Sequence, residues 1–240
     1  DTVLGAAEHL LPEEVSPLST NQLLTIVSNL IDAKDPYTAG HSRRVAVLAA
    51  AVADALGLEG HLKSSLWATG YLHDLGKLAV PLRVLAKNGR LTEEEFDYIK
   101  AHPSDGAKIL ETIPTLQHLT AGVRYHHERW DGRGYPEGLS GDQIPLVAQI
   151  MAVCDAYDAM TSKRAYRDSF GSQVALEEVV RERGIQFAPV AVDGFLSVPK
   201  DIIVGLHGAR LGAFKAFPQR VQTLRNIDPR WFTSEVAGAP

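Results

Sequence analysis

Five of the nine histidines, His41, His73, His102, His126 and His127, fall at or beside the ends of predicted helices, whereas His9, His61, His118 and His207 follow no such pattern. Taken one at a time, each reads as an ordinary hydrogen-bonded core residue. Joined by Asp74 and Asp155 and spread over four or five helices, they are the set a helical bundle needs to aim ligands inward at a pair of cations. Imidazole nitrogen and carboxylate oxygen, with no thiolate, point to iron, manganese or zinc rather than to a cysteine-rich structural zinc site. A carboxylate placed between two histidine-rich half-sites can bridge two metals through separate oxygens, and Asp74 is the candidate. Two cations about 3.5 to 4 Å apart acidify a shared water and hold the resulting hydroxide in line with phosphorus, which is the chemistry of phosphodiester hydrolysis. Lys77, three residues after Asp74, lies on the same side if the helix continues, where it neutralises a phosphate oxygen or orients the hydroxide.

The elements that must position these residues read helical almost throughout. Leu23, Ile26, Val27 and Leu30, and then Val45, Leu48, Ala49, Val52 and Leu56, recur at spacings of three and four, which predicts one buried stripe on each segment. Gly57 suits a helix end. Thr92 followed by Glu95 is a capping box, opening a helix whose apolar positions are Phe96 and Ile99. Pro103 and Pro145 each fit a first helical turn, and the second introduces Leu146, Val147, Ile150, Met151, Val153, Cys154 and Tyr157. No sustained period-two alternation is present, so the fold class is all-α. Residues 128–141, with Gly132, Gly134, Pro136, Gly138 and Gly141, form the one long polar, glycine-rich loop. The main domain is expected over residues 18–197, after an N-terminal segment or linker (1–17) and before a partly ordered C-terminal extension (198–240).

Composition narrows the classes further. The chain has 240 residues, 45% of them apolar and 22% charged, which excludes a disordered or fibrous protein. Its net charge of −5 builds no broad positive field for duplex nucleic acid. The longest apolar run, residues 45–53, is too short to span a bilayer, and residues 1–14 lack the basic start of a secretory signal. Cys154 alone can form no internal disulfide, in keeping with a reducing, cytoplasmic location. An opening at Asp1 rather than Met fits a piece of a longer chain.

The motifs resemble the HD-GYP family, a branch of the HD-domain metal-dependent phosphohydrolases. The resemblance covers residues 18–197. It rests on Asp35-Pro-Tyr-Thr-Ala-Gly-His41-Ser-Arg-Arg-Val45, Leu72-His73-Asp74-Leu-Gly76-Lys77, Lys87-Asn-Gly-Arg-Leu-Thr92 and His102-Pro103. Further along come His126-His127-Glu128-Arg-Trp-Asp131-Gly132-Arg-Gly134-Tyr135-Pro136 and Asp155-Ala-Tyr-Asp158-Ala-Met-Thr161-Ser162-Lys-Arg164-Ala-Tyr166-Arg167. The long run from His126 is far more specific than any His-Asp pair, and all the pieces stand in the family's order.

The resemblance implies an HD-domain helical bundle with a long glycine-rich loop and a C-terminal extension. The implied reaction opens cyclic di-GMP to linear pGpG, with GMP as a further product, through a metal-bridging hydroxide. The implied metal ligands are His41, His73, Asp74, His102, His126, His127 and Asp155, holding two divalent ions, iron first and manganese next, with Lys77 and Asp74 catalytic. Substrate contacts are implied for Arg164 and Arg167, whose guanidinium forks suit phosphate oxygens, and for Asp158, Tyr135 and Asp35. Asp158 would meet either a guanine edge or a ligating histidine. Tyr135 would lie along the substrate groove or face a signalling partner of the GGDEF type, and a homodimer is a further implied assembly. Tyr37 stands where members with three metals carry glutamate, which favours two metals. Gln149, Ala165 and Ala188 replace a common arginine, proline and aspartate, and leave substrate preference open. Two other readings stand beside this one: a catalytically weak interaction module acting through the GYP loop, and an HD hydrolase of another nucleotide.

Overall fold

The computed structural model describes residues 19–35, 39–162 and 171–208. Tyr37, Arg164, Ala165 and Arg167 lie outside these, so the expectations attached to them are not addressed by the fold.

Helix α1 (Thr20–Lys34) starts at the capping box of Ser19, whose hydroxyl accepts the Gln22 N–H at 3.3 Å while Gln22 Oε1 accepts the Ser19 N–H at 2.8 Å. Its buried face is not the expected one. Leu24, Ser28 and Ile31 point inward, whereas Leu23, Ile26 and Leu30 are 49%, 46% and 59% exposed, and Val27 packs partly against the core. The helix is apolar on two neighbouring faces, both spaced by three and four. Packing of Leu24 and Ile31 with Trp67 and Tyr71 of α3 (Gly60–Leu72) selects one of them.

Helix α2 (His41–Ala55) is the central element. It turns Val45, Leu48 and Val52 toward Ile150, Met151 and Tyr157 of α7 (Leu146–Thr161) and Phe195 of α9 (Pro189–Leu196). Its Ala46 and Ala50 face a second cluster with Trp67, Leu72, Leu110 and Val123. The small residues permit close approach: a Cβ on Gly70 of α3 would lie 2.3 Å from the Ala46 Cα. That contact brings the end of α3, where His73 sits, beside the start of α2, where His41 sits.

After α3 the chain makes a 3-10 turn (Leu75–Leu78) and a short helix α4 (Leu82–Leu85). Helix α5 (Glu93–Glu111) then begins at Thr92, whose hydroxyl accepts the Glu95 N–H at 3.2 Å. Ile99 of α5 packs on Val80, Val84 and Leu85, whereas Phe96, expected on the same face, is 44% exposed. Pro103, expected in a first turn, lies instead in the interior of α5. The capping box, eleven residues upstream of it, fixes the true start. The turn meets α5 where a Cβ on Gly76 would stand 1.8 Å from the His102 carbonyl oxygen, so only glycine allows Asp74 to approach His102.

A 3-10 segment (Pro114–Leu119) leads into α6 (Thr120–Tyr125) and the glycine-rich loop, which includes a 3-10 turn at Gly141–Gln143. Glu128 anchors the loop by accepting the Glu137 and Gly138 N–H groups at 2.7 and 3.1 Å. The Trp130 and Asp131 N–H groups donate to the Gln186 and Ile185 carbonyls, both at 2.9 Å. Helices α8 (Ser172–Arg181) and α10 (Lys200–Gly208) complete the chain described. Val198, Ile203 and Leu206 are buried in the main core, so the packed domain runs past the expected end near Ser197. Among the described residues there are no strands, only the isolated bridges Asp131–Ser140 and Arg183–Phe187. No described helix is long and apolar enough to cross a membrane.

Candidate metal centre

Two triads of potential ligands face each other in the middle of the bundle. His41, His73 and Asp155 present ligand atoms within 4.8 Å of one another, and so do His102, His126 and His127. The first joins the start of α2, the end of α3 and the middle of α7. The second joins α5 to the end of α6 and the residue after it. Their rings meet across the gap, with the His73 and His126 centroids 5.2 Å apart.

The hydrogen bonds on the outer nitrogens fix which atoms point inward. His73, His102 and His126 each set Nδ1 against a backbone carbonyl three residues back, those of Gly70, Ile99 and Val123, at 2.9, 2.7 and 2.7 Å. A carbonyl only accepts, so each Nδ1 carries a hydrogen, and Nε2 is left as the nitrogen available to a metal. His41, in the first turn of its helix, donates Nδ1–H to Asp158 Oδ2 at 2.7 Å. The freed Nε2 atoms stand 3.3 Å apart in both pairs, His41 with His73 and His102 with His126. With Nδ1 engaged outward, the ligand atoms of each triad lie close enough together to share one cation, so the donor set fits one metal ion per triad.

Asp74 straddles the two. Its Oδ1 lies 3.3 Å from His102 Nε2, while Oδ2 lies 3.6 and 3.8 Å from His73 and His41 Nε2. One oxygen toward each triad is the arrangement a bridging carboxylate requires. Lys77 Nζ donates to Asp74 Oδ2 at 2.7 Å and to Asp35 Oδ2 at 3.3 Å. The 3-10 turn makes this geometry, because residues three apart eclipse in it. Asp35 therefore sits against Lys77 rather than on an open substrate surface.

The electrostatics separate the site into groups held neutral and groups held charged. Burial pushes the Asp74 carboxyl toward its neutral form, but Lys77, His73 and His102 outweigh it and hold the group well below the usual carboxylate range. Burial acts the same way on Asp155 and is overcome by His41, His73 and His127. Burial also opposes charge on His41, yet Asp155 and Asp158 raise it to about 10, so these carboxylates favour a positive charge at this position. His127 is lowered to about 3 by burial and by His102, which keeps the ring neutral and able to ligate. His73 and His126 are lowered too, chiefly by burial.

Asp158 is fully buried, and the Arg44 fork grips it through Nε–Oδ1 at 2.7 Å and Nη2–Oδ2 at 3.0 Å. Sequence reasoning missed Arg44, although it lies one turn from His41 within a motif already quoted. It likewise missed Glu128, whose buried carboxylate holds the loop. Tyr135 lies over His127 with ring centroids 4.9 Å apart and 33° between planes. Both line a cavity of about 370 Å³ with His126, Asp155, Arg133 and Gln186, in the size range of small-molecule sites. Gln149 is turned away from this site, donating to the Ile144 carbonyl at 2.7 Å.

The comparisons with known proteins agree in kind. An HD domain family model matches residues 25–189. A cyclic di-GMP phosphodiesterase of Thermotoga maritima is 37% identical over 183 residues, covering 75% of this chain and 50% of the relative. One of Pseudomonas aeruginosa is 39% identical over 197 residues, covering 80% and 47%. A 3'3'-cGAMP-specific phosphodiesterase of Vibrio cholerae is 38% identical over 155 residues, covering 65% and 35%. The chain thus spans about half or less of the length of these curated relatives. Among solved structures, the L. monocytogenes PgpH HD domain in complex with cyclic-di-AMP superposes with a TM-score of 0.57 at 23% identity, over 77% of this chain and 98% of that one. At that identity the likeness speaks for the all-α fold alone.

Proposed function

This chain belongs to the HD domain family, in its HD-GYP branch, and from that membership we propose that it hydrolyses a phosphodiester bond of a cyclic dinucleotide, cyclic di-GMP first, at a two-metal centre. The observation that carries the reading is the pair of triads with one Asp74 oxygen turned to each. His41, His73 and Asp155 would hold one ion, His102, His126 and His127 the other, and Asp74 both. The all-nitrogen and oxygen donor set suits iron, with manganese next. When bound, the ions supply Lewis acidity toward phosphoryl oxygens and make water acidic enough to attack at neutral pH.

The protein's own residues do the rest. Lys77 keeps Asp74 ionised and offers its ammonium beside the point where phosphate charge would gather. Asp158, clamped by Arg44, fixes the tautomer and tilt of His41. Tyr135 walls the cavity against His127, and Arg133 brings a guanidinium to its rim for a phosphate. Arg164 and Arg167 remain proposed contacts for the second phosphate. The ring of Tyr135 turned onto His127 favours a role in the groove over one in partner binding.

The test is a substrate panel at matched metal loading. Protein loaded anaerobically with Fe(II) or Mn(II) should linearise cyclic di-GMP, and His73→Ala should abolish this. Failure on cyclic di-GMP together with turnover of 3'3'-cGAMP would move the substrate within the class. Inertness toward every cyclic dinucleotide would defeat the reading.

A further inference from the structure

Three of the proposed ligands share one device, and one of them obtains it in a different way. His73, His102 and His126 each donate Nδ1–H to the backbone carbonyl three residues back. In an uninterrupted α-helix that carbonyl is already taken, because the N–H of the residue following the histidine bonds to it as the ordinary fourth-residue partner. His73 and His126 escape the competition by standing just past helix ends. Helix α3 stops at Leu72 and α6 at Tyr125, so Gly70 and Val123 lie in last turns, where carbonyls lack helical partners. His102 has no such exit. It lies inside α5, which continues to Glu111. The residue that would supply the competing N–H to Ile99 is Pro103, and proline has none.

We propose that Pro103 is a positioning residue of the metal centre: by leaving the Ile99 carbonyl without a helical donor, it reserves that carbonyl for His102 Nδ1 and so holds His102 Nε2 toward the second ion. The Nδ1 contact of 2.7 Å is as short as that of His126, which has a helix end to help it. Proline is the least favourable residue in a helix interior, so its place here works against helix stability and calls for a compensating role. The inference rests on the two-metal reading and concerns one half of it, since His102 serves only the triad with His126 and His127.

The test exploits the opposite signs of the two effects. Pro103→Ala restores an N–H that competes for Ile99. The metal-free variant should melt at an equal or higher temperature, and one of the two Mn(II) sites should weaken about tenfold or more, the range seen when outer hydrogen bonds of ligating histidines are removed. Free Mn(II) is counted by electron paramagnetic resonance during titration. A second variant, Pro103→lactic acid, replaces the proline with an ester-linked residue that lacks both the ring and the N–H, and it should keep wild-type affinity. Unchanged affinity in Pro103→Ala would overturn the inference while leaving the metal centre standing, and so would an equal loss in the ester variant. A wild-type chain that takes up no Mn(II) in the same titration would overturn the metal centre and this inference together.

Discussion

His127 and His41 both feel the charge of Asp155 and are driven in opposite directions. His127 is lowered to about 3 by burial and by His102, against an unfolded value near 6.5. Unfolding therefore takes up a proton between these values, and the stability this ring contributes is present above about pH 6.5 and lost as pH falls toward 3. His73 and His126 shift in the same direction. His41 is raised to about 10 by Asp155 and Asp158 against its burial, so its contribution is complete below about pH 6.5 and lost as pH rises toward 10. The chelated protein should accordingly show a melting temperature that peaks near pH 6.5 and declines on both sides. Loading with Mn(II) should flatten the alkaline decline, because a cation then occupies the position the proton favours. Melting curves at several pH values, with and without metal, check both. Removing charge behind the ligand should also show. Asp158→Asn loses the ionised partner of His41 and Arg44, and metal affinity by competition with a chelator is expected to fall about 10- to 100-fold. At this scale the side chains that converge were legible because residue types and motif order carry them. The hydrogen-bond partners of Asp158 were not, since a guanine edge and an imidazole make the same demand on a carboxylate.

Local geometry decides whether these side chains meet. The 3-10 turn after α3 brings Lys77 back over Asp74, and Gly76 lets that turn lie against the His102 carbonyl. Gly76→Ala places a methyl inside that contact, and a loss of about 1–3 kcal/mol is expected from overpacking, read as a lower urea midpoint. The faces of α1 offer a second test. Ile31→Ala should cost about 2–5 kcal/mol, whereas Leu30→Gln on the exposed stripe should stay within about 0.5 kcal/mol. Sequence periodicity put Leu30 on the buried stripe and passed over Ile31. It recognises a spacing of three and four but cannot say which of two adjoining apolar faces meets Trp67 and Tyr71. The same limit applies to Phe96, an apolar position of α5 that stands 44% exposed while Ile99 packs inward. The expectation for Pro103 failed for a different reason, since position in a first turn is the usual tolerance for proline and a functional use of its missing N–H overrides that rule.

In the whole molecule, α2 holds two core clusters together and carries His41 at its start, so packing and ligation are continuous. The all-α class and the glycine-rich loop were readable from period and composition. The end of the packed domain was not, because Ile203 and Leu206 follow a weak pattern that becomes core only when α10 docks. Metal binding by residues from three helices, α2, α5 and α7, and from the turns after α3 and α6 should raise the melting temperature well above that of the chelated chain, as any ligand selective for the folded state does. The most direct measurement is anomalous diffraction from crystals of the Mn(II)-loaded protein. Two peaks are expected, one within coordination distance of His41, His73 and Asp155 and one of His102, His126 and His127, with an Asp74 oxygen on each. A single peak, or peaks away from these triads, would contradict the two-metal account.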